Sequence, residues 1–289
     1  MQKLKNSVLD RMIEEKLTSK EIDFLIYVSR YQDDSGKVSG IHYKELCETM
    51  HMSFQGFYDV KQSLQEKGFI AVEKSNRIDH DITILKNGYA DMNDIVEGYV
   101  NTNHHIFYDE EFFRLKAGSK LLAMELLRMS YAGTGGEKGQ FRIGTKRFYE
   151  KYTKMFSVTK RVMRTYLMEL KRFFSIGIVE GMYYMRPKIS VYKQPGQASE
   201  NENYAAHNVS MICRRNKIKD PHKKDLKDVM DLVRQYKKEA ERVKRNIFDL
   251  LRQAIEKSLQ ILNDGSEVIK NRILKPKLIH SILKRELAV

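Results

Sequence analysis

At 289 residues, 42% hydrophobic and 31% charged, the chain is long enough for two or three domains with real cores, and its make-up is that of an ordinary soluble globular protein. No apolar run of about 18 residues occurs, so no transmembrane helix is expected. Met1-Gln2-Lys3-Leu4-Lys5 is followed by no apolar core, so no secretory signal is expected either. The net charge of +14 and pI of about 9.5 favour a cytoplasmic, nucleic-acid-associated protein, although basic proteins without that role are common.

The charge is unevenly spread. Residues 1–98 hold 13 Lys+Arg against 17 Asp+Glu, a balance of −4. Residues 99–192 hold 17 against 8 and residues 193–289 hold 22 against 13, a balance of +9 in each. Cys47 and Cys213 sit on different segments; Cys47 reads as a small buried hydrophobe and Cys213 as a free thiol of a reducing compartment.

In chain order, Thr18-Ser19-Lys20-Glu21 has the spacing of a capping box and opens a helix with Ile22, Phe24, Leu25 and Val28 inside. Asp33-Asp34-Ser35-Gly36 breaks it, and Lys37 to Ile41 reads as a short strand. A second helix spans His42 to Met50, with Leu46 and Met50 inward. Ser53 caps a third helix to about Lys67, with Phe57, Val60 and Leu64 on one face and Gly68 as its stop. Phe69 to Val72 and Ile82 to Leu85 are strands around a polar loop at 76–81.

The pattern returns after an extended lead-in from Gly98 to Phe113. Ser119 begins a helix with Leu121, Leu122, Met124, Leu126 and Leu127, ended by Gly133 to Gly136. Gln140 to Ile143 is a short strand and Thr145 to Tyr152 a second helix. Ser157 caps a third helix through about Phe174. Ile176 to Val179 and Lys188 to Tyr192 are strands joined by Gly181 to Pro187.

Residues 193–224 read as a linker, polar and turn-rich at 195–203 and then basic at Arg214 to Lys219 and His222 to Lys224. From Asp225 to Leu262 the chain reads as helical, with an apolar stripe of Val229, Leu232, Tyr236, Val243, Ile247, Leu250, Ala254 and Leu259. Glu239 and Asn246 interrupt any heptad, Gly265 ends the helix, and Pro276 opens a last one with Leu278, Ile279, Ile282 and Leu283.

Helix, strand, helix, turn, helix, strand, loop, strand is the order of a winged helix, here in two copies. The stretch IHYKELCETMHMSFQGFYDVKQSLQEKGFI, residues 41–70, resembles the helix-turn-helix core of MarR-type regulators and of plasmid and phage replication initiators. That resemblance implies a mainly α protein with small β wings: a first winged helix at 1–98, a second at 99–192, and a helical region at 225–289.

The third helix of the second copy is the strongest functional signal. Thr159, Lys160, Arg161, Arg164, Thr165 and Lys171 lie among the apolar Val162, Met163, Tyr166, Leu167 and Leu170. The apolar set is expected to dock, leaving the polar set to enter a DNA major groove, where Arg pairs with guanine and Thr meets a thymine methyl. A solvated basic face is the bland alternative. In the wing, Arg186 is a candidate for a minor groove or a phosphate, with Lys188 beside it, and Tyr183 and Tyr184 for the sugar backbone or for packing under the wing. In the first copy the outward residues are Ser53, Gln55, Tyr58, Lys61 and Gln62, with Asp59 and Glu66 offsetting the lysine. They allow weak base reading, or a structural or protein-contact role.

No phosphate-binding loop, dinucleotide fingerprint or zinc-protease motif occurs. His104-His105 near Asp109-Glu110-Glu111 fits no standard ligand spacing, and the tyrosines lack the histidine cluster of a relaxase. No catalysis, metal or cofactor is expected. The expected function is sequence-specific binding of double-stranded DNA as a nucleoid-associated transcriptional regulator. The alternatives are an initiator on origin repeats and a protein-interaction scaffold. A protein partner is assigned to residues 1–98. The stripe at 225–262 is open to the chain's own modules or to a second copy, and the polar linker favours a homodimer.

Overall fold

The computed structural model describes residues 2–74, 79–89, 97–131, 139–218, 221–263 and 272–287. The Gly133–Gly136 and Gly265 stops lie outside the described residues. The chain is mainly helical with small sheets, and it divides into two compact units, Met1–Glu200 and Asn201–Val289.

The first unit opens with two elements that sequence reading does not anticipate, strand β1 (Lys3–Lys5) and helix α1 (Asn6–Glu14). Helix α2 (Ser19–Ser29) starts at the expected capping box: Thr18 accepts from the Glu21 N–H, and Glu21 accepts from the Thr18 N–H. Strand β2 (Lys37–His42), helix α3 (Tyr43–Thr49) and helix α4 (Phe54–Glu66) follow. Ser53 caps α4, and Gly68, with φ +67°, turns the chain out of it as only glycine does without strain. Strands β3 (Ile70–Lys74) and β4 (Asp79–Ile84) close a sheet of order β2-β4-β3. β4 begins inside the expected loop, because Asp79 and His80 pair with His42 and Ile41.

Strand β5 (Tyr99–Asn101) pairs antiparallel with β1, Leu4 opposite Val100. A 3-10 turn (His105–Tyr108) and helix α5 (Glu110–Phe113) lead to helix α6 (Ala117–Tyr131). Strand β6 (Phe141–Gly144), helices α7 (Thr145–Phe156) and α8 (Lys160–Leu170), and strands β7 (Phe174–Val179) and β8 (Met182–Pro187) complete a second sheet of order β6-β8-β7. Element order and sheet order are thus the same in both halves.

Two expectations for this half are corrected. Ser157 does not cap α8: its φ of 51° is left-handed and ends α7, whereas an N-cap needs the extended backbone found at Thr159. The segment 182–187 is strand, and residues 189–191 form a 3-10 turn. The cause is a two-residue hairpin at Glu180 and Gly181, both with positive φ, a backbone whose twist suits a tight antiparallel turn.

The halves share one hydrophobic core and do not form separate domains. Helices α2 and α6, the corresponding first helices of the two sheet-bearing halves, pack on each other and are buried almost all round. Arg30, fully buried, donates to the Phe107 carbonyl and lies 3.9 Å from the Tyr108 ring centroid.

Among the described residues the second unit has four helices: α9 (Glu200–Arg215), α10 (Lys223–Arg242), α11 (Ile247–Leu262) and α12 (Pro276–Glu286). Half of the expected linker is therefore helix α9, which buries Ala205, Val209, Ile212 and Cys213 at helical spacing. The single helix expected at 225–262 is broken at Lys244, whose φ is 54°, and Asn246 caps α11 through its side chain. Val229, Tyr236, Ile247, Leu250, Ala254 and Leu259 of the stripe are buried with Ile279 and Leu283 of α12. Leu232 packs against the same cluster and only Val243, beside the break, is left 48% exposed, so the stripe is covered largely by the unit's own helices, which removes the main reason for a homodimer through 225–262. Cys213 is buried and burial pushes its thiol up to about 11; Cys47 is buried as well, and both are free.

Candidate nucleic-acid interface

Helix α8 divides its residues as an amphipathic helix does. Met163, Leu167 and Leu170 are buried, three to four residues apart, and Tyr166 is half-buried. Lys160, Arg161, Arg164, Thr165 and Lys171 are exposed, as is Thr159 before them. Val162, expected to dock, is exposed instead, because it falls on the same side as Arg161 and Thr165. Two of the candidate residues also serve the helix: Thr159 Oγ1 accepts from the Val162 N–H, and Thr165 Oγ1 donates to the Arg161 carbonyl at 3.3 Å.

Lys160, Arg161, Arg164 and Lys171 make no ion pair among the described residues. Arg164 sits 5.8 Å from the centroid of the Tyr149 ring on α7. The Tyr149 hydroxyl is 2.9 Å from that of Tyr183 on β8. Tyr183 is buried against Phe148, and burial together with the Tyr149 bond pushes its phenol up to about 12. Tyr183 therefore packs beneath the hairpin, and Arg164 is the link from α8 through α7 to β8.

Arg186 and Lys188 are both exposed. Arg186 lies on β8 opposite Ser175, in a regular ladder and not in a loop. Its cation offsets part of the burial that raises the Tyr192 phenol. Tyr184 is half-buried, with the Arg142 guanidinium 5.1 Å from its ring centroid. Arg142, and Arg147 on α7, are exposed cations that the sequence reading passes over. The inward pair Phe148 and Tyr152 is the signal that places Arg147 outside.

Helix α4 uses its corresponding face differently. Gln55 donates to Asp59 at 2.7 Å and Gln62 to Glu66 at 2.8 Å, so both amides are engaged by carboxylates one turn along. Lys61 Nζ lies 4.9 Å from the centroid of the Tyr58 ring. Tyr58 and Phe54 are exposed, and Tyr43 meets Phe54 edge-on. The structure thus gives α4 an aromatic, internally neutralised face and α8 a cationic one.

The His104 region is a structural cluster. His104 is buried, stacks on Tyr131 and is hydrogen-bonded to the Tyr131 hydroxyl; burial lowers its pKa to about 4. Asp109 caps α5, and Glu111 faces Arg114 and Arg172.

No protein-family model matches the chain, and no curated protein or solved structure matches it. Among the described residues no helix is long and apolar enough to cross a membrane.

Proposed function

We propose that the chain is a sequence-specific double-stranded DNA-binding protein without catalytic activity, built on two winged helices and acting as a bacterial transcriptional regulator. The observation that carries this reading is the α8 face. Lys160, Arg161, Arg164 and Lys171 stand exposed on one amphipathic helix, without carboxylate partners among the described residues. Such a helix fits the major groove, and unpaired cations release counterions from phosphates on binding. The twice-used order of helix, strand, two helices and hairpin supports the winged-helix reading. The protein then works in the cytoplasm at the nucleoid. The −4 stretch, with Phe54 and Tyr58 outward on α4, suits a protein partner better than phosphate.

A second reading, an initiator on origin repeats, draws on the shared core of the two halves. Two helices held by one core suit two adjacent stretches of duplex. Selection of duplexes from a genomic library by the full chain tests both. A recurrent motif, bound less tightly as salt rises, is expected. A palindrome upstream of the gene favours regulation, and an array of direct repeats favours initiation. Absence of duplex binding at low salt would refute both and leave the protein-interaction scaffold.

A further inference from the structure

Strand β7 is a sheet edge: among the described residues the order β6-β8-β7 leaves one of its sides without a strand. Its sequence, Phe174-Ser175-Ile176-Gly177-Ile178-Val179, holds no charge and no proline, and its register with β8 runs without a bulge. Charges, prolines and bulges are what natural proteins place on edges to keep them apart. The corresponding edge of the other sheet, β3, carries Glu73 and Lys74. Ile178 and Val179 are 59% and 57% exposed, and a side chain added at Gly177 would meet no atom within 4 Å.

The direction of the free backbone groups follows from the ladder. The Lys188 N–H donates to the Phe173 carbonyl at 2.9 Å, one step beyond the β7–β8 pairs. Hydrogen-bonded and non-hydrogen-bonded pairs alternate along an antiparallel ladder. Ser175, Gly177 and Val179 therefore direct their backbone groups at β8, while Phe174, Ile176 and Ile178 direct theirs at the open side. Side chains alternate too, so Ile178 lies on the same face as the buried Phe174 and the half-buried Ile176.

We propose that this edge pairs antiparallel with the same strand of a second copy of the chain, with Gly177 opposite its own counterpart on the two-fold axis. In that register Ile176 lies opposite Ile178 of the other copy, and their outward N–H and C=O groups bond in both directions. Both isoleucine pairs fall on the face that each sheet turns to its core, so the two sheets continue into one. A strand that complements itself in apolar pairing and in the direction of its free backbone groups closes a two-fold dimer.

Sedimentation equilibrium of the full chain without DNA tests this independently of the duplex-binding reading. A reversible monomer–dimer equilibrium at micromolar concentration is expected, and Ile178→Lys is expected to weaken it by about tenfold or more. Gly177→Cys tests the register. Opposed non-hydrogen-bonded residues have Cα atoms about 4.5 Å apart, within disulfide reach, and the native Cys47 and Cys213 are buried. Mild oxidation is expected to link Gly177→Cys into a dimer, and not Val179→Cys, which faces Ser175. A monomer throughout, or a dimer that Ile178→Lys does not weaken and Gly177→Cys does not link, overturns the proposal.

Discussion

Asp23 and Lys120 form an ion pair at 2.6 Å with both side chains fully buried, and they come from α2 and α6, the corresponding helices of the two halves. Burial pushes the Asp23 carboxyl up and the Lys120 amine down, so for each group desolvation outweighs the partner's attraction. Lys120 also donates to the Phe113 carbonyl at 3.0 Å, while Asp23 Oδ2 is buried without a hydrogen bond. Such a pair adds little net stability and is costly to break, because the remaining charge is stranded.

The expected result is asymmetric. Lys120→Met alone should destabilise the first unit by about 3–5 kcal/mol. The double variant Asp23→Leu, Lys120→Met should recover most of that loss, since no charge is left in the core. Denaturant unfolding, read by a probe within residues 1–200, distinguishes the cases. A double variant as unstable as the single one would show that the pair is a net stabiliser.

This joint also marks the limit of what the sequence discloses. Thr18 with Glu21, Ser53 and Gly68 are legible because capping chemistry is local to three or four residues. Ser157 and Thr159 are both capping types, and only the left-handed backbone at Ser157 decides between them. The hairpin at Glu180 escapes notice because a glutamate seldom takes positive φ. Helix α9 hides behind polar Asn201 and Asn203, although Ala205, Val209 and Ile212 have helical spacing. Arg161 and Arg164 were legible as outward because Met163, Leu167 and Leu170 fix the inward face. The Asp23–Lys120 contact spans 97 residues, and no local pattern points to it.

His104 makes the first unit sensitive to acid. Burial holds its folded pKa at about 4, below the usual 6.5, so the folded state resists the proton that the unfolded state accepts. The neutral ring's contribution is complete above about pH 6.5, declines as pH falls towards about 4, and amounts to roughly 3 kcal/mol across that window. His104→Phe keeps a ring against Tyr131 but cannot titrate. Between about pH 7 and pH 4.5 the wild type should lose more stability than His104→Phe. Parallel losses in the two proteins would place the acid sensitivity elsewhere.

Gly118 sets how closely α8 approaches α6. A methyl group at this position would overlap the Tyr166 ring, which is half-buried on α8. In an open helix Gly→Ala stabilises by about 1 kcal/mol. Here overpacking should reverse the sign, with Gly118→Ala costing about 1–3 kcal/mol. Adding Tyr166→Leu removes the obstruction and should return stability towards wild type. Thermal unfolding of the two variants decides it, and a Gly118→Ala protein more stable than wild type would show that Tyr166 moves aside freely.

On the proposed DNA-binding reading, substitutions on the α8 face should separate base reading from phosphate contact. Arg161 and Arg164 lie within the first turns of the helix, whereas Lys171 follows its last residue. If the N-terminal part enters the groove, Arg161→Ala and Arg164→Ala should each cost about 1–3 kcal/mol at the selected site and much less on random duplex. Lys171→Ala should weaken both about equally and reduce the salt slope by roughly one counterion. Arg164 carries an added constraint, because it rests over Tyr149. Tyr149→Phe retains the ring and removes the bond to Tyr183, so it should leave affinity nearly unchanged, while Tyr149→Ala should approach the Arg164→Ala loss. These comparisons belong in the full-length chain, because a cut at residue 98 would sever the β1–β5 pairing and strip Asp23 of Lys120. Titrations of specific and random duplexes at matched salt provide the measurement. Equal proportional losses on both duplexes for the arginine variants would show that α8 grips phosphate alone and that sequence is read elsewhere.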